Sequence, residues 1–220
     1  MNINVRKAVI NDKDFLITSV IEAEKSGSDI ISYCALLSIS EQTFREILSN
    51  ILDEEIGGQE LCIGNFLIAE IDGEPAAALS AWIEKEDGMA SSMIKSNLLM
   101  YLMDREILLN AAPSLSLMNE INIDREAGAL QIECVYTVEK YRGYGLSGQL
   151  IEEQIRRKQE SGKSFEKVQV ILLKSNQAAK RAYEKSGFSL LEEKQCANKD
   201  ILKLLPCDIK ILLERKLNGK

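Results

Sequence analysis

Ile3, Val5, Ala8 and Ile10 space apolar side chains among polar ones and predict a strand at the start of the chain. Asn11-Asp12 then offers an N-cap for a helix carrying Phe15, Leu16, Val20 and Ala23, interrupted at Gly27-Ser28. A second helical period runs from about Ser40, with Phe44, Ile47, Leu48 and Ile51 on one face, and Gly57-Gly58 closes it. The apolar runs Leu61–Ile71 and Pro75–Ile83 flank Asp72-Gly73. That pair predicts a hairpin, because a tight turn between strands demands positive φ. Met89 to Leu109 reads as a helix of mixed period, Ala112-Pro113 as its break, and Leu115 to Asn122 as a further short helix. No linker-like composition flanks this stretch. Residues 84–128 are therefore expected to be an insertion within one domain spanning 1–220.

The second half is more regular. Leu130 to Val138 is rich in apolar and β-branched residues and predicts a strand. Gly143 to Ser161 opens with glycines and continues as a helix, with Leu146, Leu150, Ile151 and Ile155 on its buried face. Val168 to Leu173 is an apolar run but for Gln169, as expected of a strand covered on both faces. Ser175 or Asn176 caps a helix that passes through Tyr183 and stops at Gly187. Phe188–Leu191 and Asp208–Leu213 predict closing strands. The order is strand, two helices, hairpin, insertion, strand, helix, strand, helix and two strands, which is a mixed α/β fold.

Composition narrows the chemistry. The 220 residues include no histidine, which excludes Ser-His-Asp and Cys-His mechanisms and histidine-ligated metals. Cys34, Cys62, Cys134, Cys196 and Cys207 are odd in number, widely spaced and free of any C-x-x-C pair. Neither a disulfide framework nor a structural zinc site is expected, and no metal. The formal charge of −7 disfavours nucleic acid and anionic membrane as partners. No apolar run is long enough to span a bilayer, and the N-terminus lacks a secretory pattern, so a cytoplasmic location is expected.

Arg142-Gly143-Tyr144-Gly145-Leu146-Ser147 lies between a predicted strand and a predicted helix. Glycines there allow a tight turn and close approach of a ligand to the backbone. The first amides of the helix lack internal partners, and the helix dipole adds partial positive charge, so the segment suits a pyrophosphate. Packing or a nucleotide would be served by the same pattern. A P-loop is excluded because no lysine follows. Gly143, Gly145 and Gly148 satisfy G-x-G-x-x-G, but late in the chain, after a hairpin, and with Glu166 ahead of the next strand rather than at its end. Downstream, Asn176 to Phe188 combines a strand exit, a small-residue helix and a Gly-Phe stop, with Tyr183 about two turns beyond Asn176 on the same face.

Together, R-x-x-G-x-[GA] after one strand and N-x-x-A-x-x-x-Y-x-x-x-G-F after the next resemble the GCN5-related N-acetyltransferase superfamily. Val5-Arg6-Lys7-Ala8 with Asp12, and the hairpin at Asp72-Gly73, fit more loosely. The resemblance implies a central, mostly antiparallel sheet with splayed middle strands, flanked by helices. It implies acetyl-CoA, or another acyl-CoA, as co-substrate and a small-molecule or peptide amine as acceptor. Backbone groups of Val135, Tyr136 and Thr137 would pair with pantetheine, and amides from Arg142 through Gly143, Tyr144, Gly145, Leu146 and Ser147 would hold the pyrophosphate. Asn176 would meet the pantetheine arm. Ser147 departs from the Gly or Ala usual at its position.

The reaction implied is direct attack of a neutral primary amine on the thioester in a ternary complex. Tyr183 is the candidate acid for the departing thiolate, and a backbone amide near Val135 to Thr137 would meet the oxyanion. Glu133 is the candidate base: strict alternation would put it on one face with Val135 and Thr137, and Cys134 on the other. Ile171 stands where some relatives that acetylate protein N-termini carry an acid, which argues against that acceptor class. Met89, Met93, Met100 and Met103 in the insertion read as core filler or the face of a homodimer, or else as an adaptable wall of an acceptor pocket. A non-catalytic acyl-CoA sensor or interaction module of the same fold is the alternative function.

Overall fold

The computed structural model describes residues 2–217. Seven strands form one sheet: β1 (Ile3–Lys7), β2 (Phe66–Ile71), β3 (Glu74–Ile83), β4 (Leu130–Thr137), β5 (Lys167–Leu173), β6 (Ser189–Gln195) and β7 (Ile209–Lys216). Their spatial order is β1-β2-β3-β4-β5-β7-β6. Every neighbouring pair is antiparallel except β4 and β5. The helices are α1 (Lys13–Glu24), α2 (Ser32–Leu37), α3 (Glu41–Asp53), α4 (Ser91–Leu102), α5 (Arg105–Ile121), α6 (Leu146–Glu160) and α7 (Gln177–Lys185).

Both faces of the sheet are covered, which is why β2 and β3 are mostly apolar, broken inside only by Glu70 and Ser80. Alternation divides them. Phe66, Ile68 and Ala78 join the core under α1 and α3, while Leu67, Ala69 and Leu79 join the core under α6. Asp72 at φ +51° and Gly73 at φ +88° make the expected hairpin turn. Ser40 caps α3, its Oγ accepting from the Thr43 amide at 3.0 Å. Asp12 does not cap α1. Its buried carboxylate instead accepts from the Val9 amide and from both terminal nitrogens of Arg6 at 2.7 Å, tying the end of β1 to α1.

Three sequence expectations need correction. The strand expected from Leu61 begins only at Phe66, after a 3₁₀ turn over Ile63–Asn65. Residues 32–37 form a helix that no period announced. In the insertion the break falls at Met103-Asp104, and α5 runs straight through Pro113. A proline deprives the carbonyl four residues earlier of its donor. Here that residue is Leu109, which is exposed, so water can take the donor's place.

The segment between β3 and β4 is pinned to the sheet at both ends through Trp82. The Trp82 indole donates to the buried Glu84 carboxylate at 3.1 Å, and the other oxygen of Glu84 accepts from the Ser91 amide at the start of α4. On the return leg, the Arg125 guanidinium lies over the Trp82 ring, 5.0 Å from its centroid. No helix among the described residues is long and apolar enough to cross a membrane.

Replacing Asp12 by Ala leaves the Val9 amide without its acceptor and Arg6 with Glu70 as its sole ion-pair partner among the described residues, and is expected to cost about 2 kcal/mol in urea unfolding at pH 7. Hydrogen bonding from Arg6 outweighs burial and holds Asp12 below the usual carboxylate range. Its contribution is therefore fully present above the unfolded pKa and is lost as pH falls through the depressed folded value. The difference between wild type and Asp12→Ala should shrink at the acid end of a pH series.

Candidate active site

The parallel ladder between β4 and β5 is short. It pairs Leu130 with Val168, Gln131 with Gln169 and Ile132 with Val170, and goes no further. Beyond Ile132 the strands part, although β4 stays paired to β3 as far as Thr137. A bulge marks the parting. Ser80 faces Glu133 and Ala78 faces Tyr136, so two residues of β4 stand opposite Leu79. Cys134 is the extra one, at φ +51°.

The bulge overturns the expected alternation. Cys134 packs into the core under α1, and Val135 packs against the core under α6. Tyr136 lies on the α1 side, its ring 6.4 Å from that of Phe15. Glu133 shares its face with Ser80, whose hydroxyl donates to the Glu60 carbonyl on the α1 side. Glu133 and Cys134 thus project to the same side, and Val135 to the other. An extra residue at left-handed φ reverses the parity of everything after it, which a sequence period cannot register.

Below the parting lies the glycine turn. Gly143 at φ +90° and Gly145 at φ +71° take conformations costly to other residues, and a side chain at either would meet nothing within 4 Å. Gly148, third of the G-x-G-x-x-G glycines, serves packing instead. A Cβ there would meet Ser186 Oγ at 3.3 Å, so its absence seats α6 against α7. Among the described residues, no backbone acceptor meets the amides of residues 143–148, the first bond of the new turn being Gln149 N to Gly145 O at 3.1 Å. These amides face solvent at the head of α6 with the helix dipole behind them. Leu146 contributes only backbone, its side chain being buried under the sheet; Arg142, Gly143, Tyr144 and Gly145 are exposed and Ser147 half-buried.

Asn176 N-caps α7, its Oδ1 accepting from the Ala179 amide at 3.2 Å, and a Cβ on Gly27 would lie 3.9 Å from that oxygen. The turn after α1 therefore borders the mouth of the splay. Tyr183 is buried, edge-on to Phe188, and close enough to Glu133 and Cys134 to feel their charge. Burial first, and those two groups second, push its phenol well above its ordinary pKa. It stays a protonated donor at any physiological pH.

On the α1 side of the parting the structure gathers charges that no motif announced. Glu133 is paired with Arg125, and Glu60 with Lys95, which also sits over the Tyr33 ring at 5.6 Å from its centroid. Burial works against Lys95 ionisation, but the Glu60 charge overrides it and raises the pKa. Burial lifts the Tyr33 phenol to about 12 and the Glu24 carboxyl to about 7. For Glu24, Lys95 counters burial while Glu133 and Glu60 reinforce it. One sequence signal points this way: Lys95 is the sole charge in α4. Glu24, Glu60, Arg125 and Lys210 look like ordinary surface charges until the chain is folded.

Comparison with known proteins agrees with this geometry. The acetyltransferase (GNAT) family model matches residues 32–188, and the chain belongs to that family. Among curated proteins none matches significantly. Solved structures share the fold at low identity. An N-acetyltransferase from Staphylococcus aureus Mu50 is 14% identical, covers 96% of this chain and 99% of its own, and superposes with a TM-score of 0.65. A GNAT-family acetyltransferase from Streptococcus pneumoniae is 16% identical over 99% of this chain and 100% of its own, at 0.53. The Salmonella typhimurium protein yncA, solved with its cofactor acetyl-CoA, is 12% identical over 100% and 96%, at 0.54.

Gly145→Val sets a β-branched side chain at φ +71°, a strain of roughly 1–2 kcal/mol relieved only by moving the adjacent amides. Affinity for coenzyme A, measured by calorimetry, should fall about tenfold or more. Undiminished affinity would remove the turn from the site.

Proposed function

We propose that this chain is an acetyl-CoA-dependent N-acetyltransferase that moves the acetyl group directly to a primary amine in a ternary complex. The observation that carries the reading is the parting of β4 and β5 directly above a turn of unpartnered amides. The bare β4 edge at Val135, Tyr136 and Thr137 suits the amides of a pantetheine arm, which would add to it as a strand does. The amides of residues 143–147 suit the diphosphate, with Asn176 beside the arm. No metal is needed for this chemistry.

In the step proposed, the amine nitrogen attacks the thioester carbonyl, the carbon–sulfur bond breaks, and coenzyme A leaves as thiolate. Tyr183 gives that sulfur its proton. An ammonium acceptor must first lose a proton, and we assign that proton to Glu24 rather than Glu133. Glu133 is held by Arg125, whereas the Glu24 carboxylate makes no hydrogen bond or ion pair among the described residues. With a pKa of about 7, Glu24 is suited to exchange protons near neutrality. Glu133 and Glu60, by their charge, keep it basic.

The deciding experiment is free-thiol release from acetyl-CoA against a broad amine panel; binding of acetyl-CoA with no release from any amine would favour the sensor instead. Tyr183→Phe should cut kcat by about 10²-fold while the KM for acetyl-CoA stays near its original value. An unaltered kcat would exclude Tyr183 as the acid. The kcat/KM profile should climb with pH through about 7, because Glu24 accepts a proton only when ionised. Glu24→Gln should lose that limb along with most activity.

A further inference from the structure

The charged recess on the α1 side of the splay carries more than a base, and its remaining charges specify an acceptor if the acetyltransferase reading holds. Two of its acids are matched by two of its cations: Glu60 with Lys95, and Glu133 with Arg125. That leaves Glu24 and Lys210. Glu24 ends α1, on one wall. Lys210 stands at the start of β7, directly across the ladder from Leu173, where β5 has already left β4. Neither side chain makes a hydrogen bond or ion pair among the described residues, and none of their polar atoms is both buried and unpartnered, so both head groups keep access to open space. Leu173 packs in the core under α1, so its ladder partner Lys210 projects to the side of the sheet that α1 covers. Burial is the largest influence on each: it raises Glu24, and it lowers Lys210 against the pull of Glu133 and Glu24. Groups so enclosed, yet still reached by solvent, line a recess.

An unpaired anion and an unpaired cation held apart in one recess are a template for a molecule of opposite polarity. We infer that the acceptor is an amino acid: its amine lies at Glu24 and its carboxylate at Lys210. A bare amine leaves the Lys210 ammonium enclosed without a counter-ion, and a polyamine brings a second positive charge against Lys95, Arg125 and Lys210. The charge of −7 on the whole chain gives no attraction here, since three acids and three bases cancel within the recess. Only a zwitterion satisfies both open groups together.

The test is thiol release from acetyl-CoA with matched acceptors, each an α- or ω-amino acid beside the amine that differs only in lacking the carboxylate. The amino acids should have the higher kcat/KM, by about tenfold or more. Lys210→Met should raise the KM for the amino acids about 10- to 100-fold and collapse the preference, and Lys210→Arg should restore it. Equal turnover of both members of each pair by the wild type would overturn the inference. So would a Lys210→Met enzyme that loses kcat on both members alike, since Lys210 would then serve the chemistry or the fold instead. Thiol release from neither set, by a protein that binds acetyl-CoA, would fail the transferase reading and this inference with it.

Discussion

The site depends on one backbone event, the extra residue that Cys134 inserts into β4. Its φ of +51° lies where a side chain is tolerated at a cost, and the ladder to β3 absorbs it as a bulge without breaking. The bulge marks the point past which β4 can no longer track β5, and the parallel ladder ends at Ile132. From there β4 is held on one edge only. The amides and carbonyls on its other edge need partners, because unpaired backbone groups in a covered sheet are costly. A sheet that ended its ladder in the middle for no purpose would be less stable than one that zipped to the end. The parting is therefore best understood as a place kept for an extended, amide-bearing guest.

The bulge also turns Val135 to the α6 side, into the same apolar core that buries Tyr183 of α7. The α1 side receives Glu133, and around it gather Glu24, Glu60, Lys95, Arg125 and Lys210. The segment between β3 and β4 supplies Lys95 from α4 and Arg125 from its return to β4. It can do so because both ends are moored to Trp82: one through Glu84 and Ser91, the other through the Arg125 guanidinium on the indole. The two-helix segment between β3 and β4 would otherwise be too free to place two charges beside a buried carboxylate.

What can be seen in the sequence is local, and what cannot is relational. The Asp72-Gly73 turn, the Ser40 cap, the glycine turn at 143–145 and the Asn176-to-Tyr183 helix are each fixed by residues within a dozen positions, and each is found where expected. Strand alternation puts Glu133 and Cys134 on opposite faces; a single φ of opposite sign undoes that. Pro113 reads as a break, yet an exposed Leu109 carbonyl lets α5 pass through it. The charged recess draws on residues from 24 to 210. Only the folded chain shows that Glu24 and Lys210 are neighbours, and only their surroundings distinguish them from solvated surface charges.

Enclosing six charges beside the parting of β4 and β5 is expensive unless they are paired, and two ion pairs do most of that here. The residue of cost falls on Glu24 and Lys210, whose pKa values are both displaced toward neutrality, in opposite directions and for the same reason. In the free protein, each is thus easier to discharge than a surface group would be. An arriving ammonium and carboxylate reverse the balance: each supplies the counter-charge that burial withholds, so binding and ionisation reinforce one another. In the proposed reaction the ammonium would give its proton to Glu24 and leave a neutral nitrogen on the side of the sheet where the thioester carbonyl would lie in the parting. The cost of the enclosed carboxylate would then be relieved by the proton transfer that makes the nitrogen a nucleophile.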